Sequence, residues 1–199
     1  MPARGDHDAR RADVSAAVWR VLAARGFGGL TLRAVAAEMD ATTGLLTHYF
    51  PNKQTLVRHA LKVAEEHSET RARWAAEEPG LAALRAALLD VLPLTPEAVA
   101  MSRVWVSFWD AALGDADLGA SQTGRYERWR GRLRGHVEAA QDRGELPADV
   151  DPEELATTAA AFAHGLVVQV LFDQDRFPSA RQVRLLDDFL TGLRTGRSA

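Results

Sequence analysis

The stretch Thr31–Lys53, TLRAVAAEMDATTGLLTHYFPNK, decides how the chain is read. Thr31 suits the N-cap of a helix. Leu32, Val35, Ala36 and Met39 follow at helical spacing and make one apolar stripe. Asp40 and Ala41 form a tight turn, after which Thr42 or Thr43 caps a second, shorter helix. In that helix Leu46, Tyr49 and Phe50 face inward, while Thr43, Leu45, Thr47 and His48 stay outside. A short helix with an outward face of small, polar and aromatic residues, held by a preceding helix, has the pattern of a helix-turn-helix.

Pro51 pushes Phe50 out of the helical region. Asn52 suits the N-cap of the next helix, which puts Lys53 in its first turn. Unpaired backbone N–H groups and an ammonium at that point form a phosphate clamp. The run TGLLTHYF, Thr43–Phe50, with PNK behind it, resembles the recognition helix and exit of the TetR family of bacterial repressors. Within that family it is similar to the choline-responsive betaine repressor type. The resemblance begins near Arg10, is most specific between Phe27 and Leu56, and reaches residues 100–113, AMSRVWVSFWDAAL, more weakly. Many members carry Tyr where this chain has Thr47, which keeps a hydroxyl but loses reach. The resemblance implies a ligand-responsive repressor that binds a palindromic operator as a dimer and is released by a small molecule.

Working outward, residues 1–9 read as a disordered arm, and Arg10 and Arg11 begin a first helix from which they can follow a DNA backbone. Val14, Val18, Val21 and Leu22 give that helix its inner face, and Gly26 ends it. Beyond the motif a long helix runs from Lys53 to about Glu77, and Pro79-Gly80 breaks it. Leucines from Leu81 to Leu92 form a helix that stops at Pro93, and Pro96 opens another through Leu113. A loop is expected over residues 114–124, then helices Tyr126–Arg143 and Pro152–Asp173, and a last one capped by Ser179. No strand pattern competes. The fold class is therefore all-α with about nine helices. Residues 1–52 form a three-helix DNA-binding head, and residues 53–199 form a helical ligand-binding and dimerisation body.

Composition agrees. The 199 residues hold no cysteine, which excludes a disulfide framework and thiol chemistry. The longest apolar runs are interrupted by polar groups short of a membrane span, and the N-terminus has no signal-peptide core, so a cytoplasmic protein without membrane contact is expected. The net charge of -3 conceals an asymmetry. Residues 1–62 carry nine Lys/Arg against five acids, a net +4, and the remainder carries 15 against 22, a net -7. A basic end on an acidic chain suits a polyanion-binding module. No metalloprotease, phosphate-loop or hydrolase signature is present, so no catalytic residue, metal ligand or cofactor is assigned. The rival reading is a helical small-molecule-binding or interaction protein whose basic head does not bind specific DNA.

Three groups of candidate residues follow. For DNA, Arg33 can reach a base edge, and Thr43, Leu45 and His48 are the exposed recognition positions, with Leu45 suited to a thymine methyl. Thr31, Thr42, Thr47, Tyr49 and Lys53 are assigned to phosphates. For an effector, Trp105, Phe108, Trp109, Trp129 and Phe162 supply aromatic faces, with Asp110 and Glu127 nearby in sequence. Such faces beside a carboxylate cage a quaternary ammonium, the alternative being a hydrophobic compound. For the dimer, the segment Leu155–Phe172 is apolar nearly all round and needs cover on more than one side. Phe162, Leu166 and Val170, with Leu186, Phe189 and Leu190 of the last helix, are expected to meet their copies in a four-helix interface.

Overall fold

The computed structural model describes residues 4–69 and 78–194, with side chains over residues 11–68 and 78–194. Nine α-helices and no strands occur among the described residues. They are α1 (Arg4–Arg25), α2 (Leu32–Glu38), α3 (Thr43–Tyr49), α4 (Lys53–Glu69), α5 (Leu81–Leu89), α6 (Pro96–Leu113), α7 (Ala116–Asp142), α8 (Pro152–Phe172) and α9 (Ser179–Arg194). The contacts divide into two compact units. One comprises Met1–Arg71 with Arg103–Ala111, and the other Ala72–Ser102 with Ala112–Ala199.

In the first unit, α1 buries Val14, Ala17, Val18, Val21 and Leu22. Their i, i+3, i+4, i+7 spacing lays them along one face, which packs on α2 and α4. Leu56, Ala60, Val63 and Ala64 of α4 close over that face. Gly26 ends α1 at φ +61, and a Cβ there would stand 2.7 Å from Ser107 Oγ. Glycine therefore meets two needs at once, a left-handed backbone and a close approach. The next residue fastens the turn: Phe27 N–H donates to Ser107 Oγ at 3.0 Å, and that hydroxyl donates to the Val104 carbonyl at 2.8 Å.

In the second unit, α5 packs on α7, α8 and α9, and α7 on α8. Leu84, Leu88, Leu133 and Leu186 are fully buried at the centre, so truncating any one to Ala costs about 2–5 kcal/mol. Arg85 reaches from α5 to Asp187 of α9 with two hydrogen bonds, 2.5 and 3.1 Å. The Pro79–Gly80 turn is held from a distance. Arg143 donates to the Pro79 carbonyl, and Glu145 accepts from Leu81 N–H at 2.8 Å, which supplies an N-terminal partner to α5.

Four details depart from the sequence reading. Residues 4–9, expected as a disordered arm, continue α1, which begins at Arg4. Helix α7 starts at Ala116, inside the loop expected over 114–124. Asp115 caps it by accepting from Asp117 and Leu118 N–H, and Gly119 lies where a Cβ would sit 3.2 Å from the Ala112 carbonyl. A glycine that reads as a breaker is here one of close packing. Ser179 is the first residue of α9 and donates instead to the Leu94 carbonyl at 2.8 Å. By length and composition α8 does qualify as a membrane span, because its interruptions, Thr157, Thr158, His164 and Gln169, are polar but uncharged. Its Leu155, Ala156, Ala159, Ala163, Val167 and Val170 are nonetheless buried in the core of the second unit. The expected end of α4 at Glu77 lies outside the described residues.

Candidate nucleic-acid interface

The turn between α2 and α3 is closed by backbone geometry. Asp40 takes φ +50, Ala41 N–H donates to the Ala36 carbonyl at 2.9 Å, and Asp40 N–H donates to Ala37 at 3.3 Å. This is the paired hydrogen bonding of a Schellman end, with Asp at the position that usually holds Gly. Leu46 is fully buried beneath α3 and Phe50 nearly so. Phe50 lies 5.1 Å from the His59 ring, whose Nε2 is 3.2 Å from Ser15 Oγ. Burial lowers the His59 pKa, with Lys62 and Arg11 adding to it and Glu66 opposing. His59 thus joins α4 to α1 as a structural group beneath the recognition helix. Arg20 and Glu38 pair at 2.6 Å across α1 and α2; this exposed pair contributes about 0–1 kcal/mol.

Above that support, the DNA candidates fall on one unit. Thr31, Arg33, Thr42, Thr43, Thr47, His48 and Lys53 are exposed, and Leu45 and Tyr49 are half-buried. Tyr49, read as inward, instead sits at the rim, its ring edge-on to His48 at 5.8 Å. Thr31 accepts from Ala34 N–H at 3.0 Å and caps α2. Thr42 is the N-cap of α3 but makes no side-chain capping bond. Thr47 donates to the Gly44 carbonyl at 2.9 Å, so its one proton must be redirected before it can serve a phosphate. Lys53 opens α4 behind a reciprocal cap. Thr55 N–H donates to Asn52 Oδ1 at 2.9 Å, and Asn52 N–H to Thr55 Oγ1 at 3.3 Å. The Asn-x-x-Thr spacing was legible as a capping pattern; the Ser15–His59 and Phe27–Ser107 joints carried no local signal. The side chain of Arg10 lies outside the described residues.

The aromatic candidates are distributed between the units. Trp105 is buried in the first, its indole N–H donating to Ser68 Oγ at 2.9 Å. Phe108 is fully buried, 5.0 Å from Phe27, and Trp109 is half-buried. In the second unit Trp129 lies 4.8 Å from His164, and Phe162 stacks on Phe189 at 4.2 Å. Asp110 and Glu127 are both exposed.

Of the dimer candidates, Leu166, Val170, Leu186 and Leu190 are buried in the protomer's own core, while Phe162 and Phe189 are half-buried. The outward side of α8 presents Ala161, Gly165, Gln169 and Phe172, the last 88% exposed. An open groove of about 810 Å³ runs there, lined by Phe162, Gly165, Phe172, Phe177, Arg181 and Leu185 among others.

Comparison with known proteins bears on this arrangement. Residues 14–60 match the family profile described as bacterial regulatory proteins, tetR family. Residues 80–195, more than half the chain, match the one described as BetI-type transcriptional repressor, C-terminal. The chain belongs to the TetR family. Among TetR-type relatives, the HTH-type transcriptional regulator PksA of Bacillus subtilis is 28% identical over 189 residues, covering 94% of this chain and 90% of that one. The regulator BetI of Paraburkholderia phymatum is 27% identical over 194 residues, covering 96% and 95%. In structure, a transcriptional regulator from Saccharomonospora viridis, solved in complex with choline, superimposes with a TM-score of 0.79 at 23% identity, covering 93% and 96%. TetR-family proteins are ligand-responsive transcriptional regulators, not enzymes, and they bind operator DNA as dimers. Family membership therefore disfavours the rival reading of a helical module with no role at DNA.

Proposed function

We propose that this chain is a cytoplasmic homodimeric repressor whose residues 1–52 read a palindromic operator and whose residues 53–199 bind an effector and form the dimer. The observation that carries this reading is the exposed set Arg33, Thr43, Thr47, His48 and Lys53, gathered on α2, α3 and the start of α4 around the buried Leu46. In this reading α3 enters the major groove. Arg33, Thr43, Leu45 and His48 meet base edges, and Thr31, Thr42, Thr47, Tyr49 and Lys53 meet phosphates. Two-fold reading needs half-sites about 34–36 Å apart or a multiple of that. The outward faces of α8 and α9 supply the dimer contact, with Phe162 and Phe189 joined by Phe172, Gly165 and Leu185. Leu166, Val170, Leu186 and Leu190 back those faces from within.

The effector is a small molecule, either a quaternary ammonium such as the choline held by the S. viridis regulator or an uncharged hydrophobic compound. It acts by binding the operator-competent and operator-incompetent states unequally. The test is a fluorescence-anisotropy titration of the full-length protein against the duplex flanking its own coding region, at two salt concentrations, with a scrambled duplex beside it. Selective binding at two chains per site is the expected result. Equal affinity for both duplexes, followed by no enriched sequence in selection from a random pool, would sink the proposal.

A further inference from the structure

Helix α8 turns two sides to different surroundings. Leu155, Ala159, Ala163, Leu166 and Val170 are buried in the protomer's own core. On the outward side Thr158, Ala161, Gly165, Val168 and Phe172 follow one another at steps of three, four, three and four residues. That alternation keeps side chains on one seam of a helix and is the spacing by which paired helices mesh. Val168 is half-buried and the other four are exposed, so the protomer leaves the seam uncovered. The open groove of about 810 Å³ runs along it, with Ala161, Gly165, Val168 and Phe172 in its lining.

Two of these residues have no explanation inside one chain. Phe172 holds a large apolar ring at 88% exposure, and water solvates such a surface poorly. Gly165 lies in the middle of α8, where glycine weakens a helix relative to alanine, yet a Cβ there would meet nothing within 4 Å. What glycine does permit is the close approach of another backbone.

The order of sizes along the seam identifies that backbone. Ala161 and Phe172 lie equally far on either side of the midpoint between Leu166 and Val167, and so do Gly165 and Val168. An antiparallel copy of α8, related by a two-fold axis at that midpoint, sets Phe172 against Ala161 and Val168 against Gly165, once on each side of the axis. Every layer then pairs a large side chain with a small one, which fills the space between close helices without voids. A register centred on Gly165 instead sets two glycines face to face and Phe172 against the Thr158 hydroxyl. The rim of the groove also fits a copy as its occupant. It carries Asp173, Arg176 and Arg181, none of which forms an ion pair among the described residues, and a surface bearing both signs can complement itself across a two-fold axis.

We infer that the two-fold axis of the dimer passes beside the point between Leu166 and Val167, with the Phe172 ring of each chain seated on Ala161 of the other. The inference rests on the homodimer reading above and deepens it, because it fixes which residues of α8 meet.

Light scattering on a sizing column and cysteine crosslinking test it on the full-length protein. Phe172→Ala should raise the dimer dissociation constant about 100-fold, since each dimer loses two buried rings. Ala161→Phe should weaken the dimer as well, by setting ring against ring. The double variant Ala161→Phe/Phe172→Ala exchanges large for small and should return the dissociation constant to within about tenfold of the wild-type value. The chain has no cysteine, so Ala161→Cys/Phe172→Cys should form a disulfide-linked dimer under mild oxidation. Neither single cysteine variant should, because each cysteine lies about 16 Å along the helix from its own copy. Ala161 and Phe172 are exposed in the protomer, and circular dichroism melts establish that each variant keeps its fold. A dimeric wild-type protein with no rescue in the size-swapped variant, no disulfide in the double cysteine variant, or a disulfide in either single variant would overturn the inference and leave the homodimer reading intact. A wild-type protein that is monomeric at micromolar concentration would refute the homodimer reading and the pairing with it, and would assign the seam to a different partner.

Discussion

At the scale of single residues, the surface proposed to face DNA depends on side chains held in place by short-range backbone chemistry. Lys53 is set in the first turn of α4 by the reciprocal Asn52–Thr55 cap. If it meets a phosphate, Lys53→Ala should weaken binding similarly on all duplexes and flatten the plot of log affinity against log salt by about one unit. Arg33→Ala should instead cost about 1–3 kcal/mol against one base pair and relax selectivity there. Anisotropy titrations over a salt series on operator point variants distinguish the two patterns. Asp40 is a different kind of residue, since its left-handed φ of +50 is a conformation that glycine adopts without strain. Asp40→Gly should therefore raise stability by about 0.5–1 kcal/mol, visible as a higher urea midpoint with an unchanged slope. A lower midpoint would mean that the Asp side chain supports the turn in some way the backbone geometry does not reveal.

At the scale of elements, the joints between helices depend on groups that titrate or share protons. His164 sits between α7 and α8, held at about 4 where the unfolded chain titrates near 6.5. Between those values the unfolded chain binds more protons than the fold. Stability is therefore full above about pH 6.5 and falls as pH drops through this window, by up to about 3 kcal/mol near pH 4. His164→Phe keeps an aromatic ring against Trp129 without the titration, so it should flatten that part of the curve. Thermal melts of both proteins from pH 7 to pH 4 would show it, and parallel curves would mean that the acid sensitivity lies in other groups, His59 and His136 among them, both also lowered by burial. The Phe27–Ser107 joint is the corresponding device in the first unit, where one hydroxyl accepts from the turn after α1 and donates into α6.

At the scale of the whole molecule, a TetR regulator works as a pair of chains, and the outward side of α8 is the surface to challenge. Gly165 is exposed, and a Cβ there would meet nothing within 4 Å. Gly165→Arg should thus leave the protomer folded, with α8 gaining helix propensity, while placing two charges against each other across a two-fold axis. Light scattering on a sizing column should show a shift from dimer to monomer at micromolar protein, with operator affinity lost in parallel. A dimer that survives the change would move the interface elsewhere.

The sequence by itself determined most of the head. The period of Leu32, Val35 and Ala36, the caps at Thr31 and Asn52, and the TGLLTHYF run are local signals, because helix starts, stops and faces are set by residues within a turn or two of each other. They placed the helix-turn-helix and its exposed side chains, and the resemblance they carry led to the family. Only the tertiary structure decided which faces meet. Periodicity cannot tell a face turned to the protomer's own core from one turned to a second chain, since both are apolar. So Leu166, Val170, Leu186 and Leu190, read as interface, are buried within the protomer itself. Nor could the sequence show that Trp105 and Phe108 are packed inside the first unit, or that Gln122 would be buried with an acceptor to spare. Such facts depend on groups far apart in the chain coming within a few ångströms of one another, and no local pattern records that.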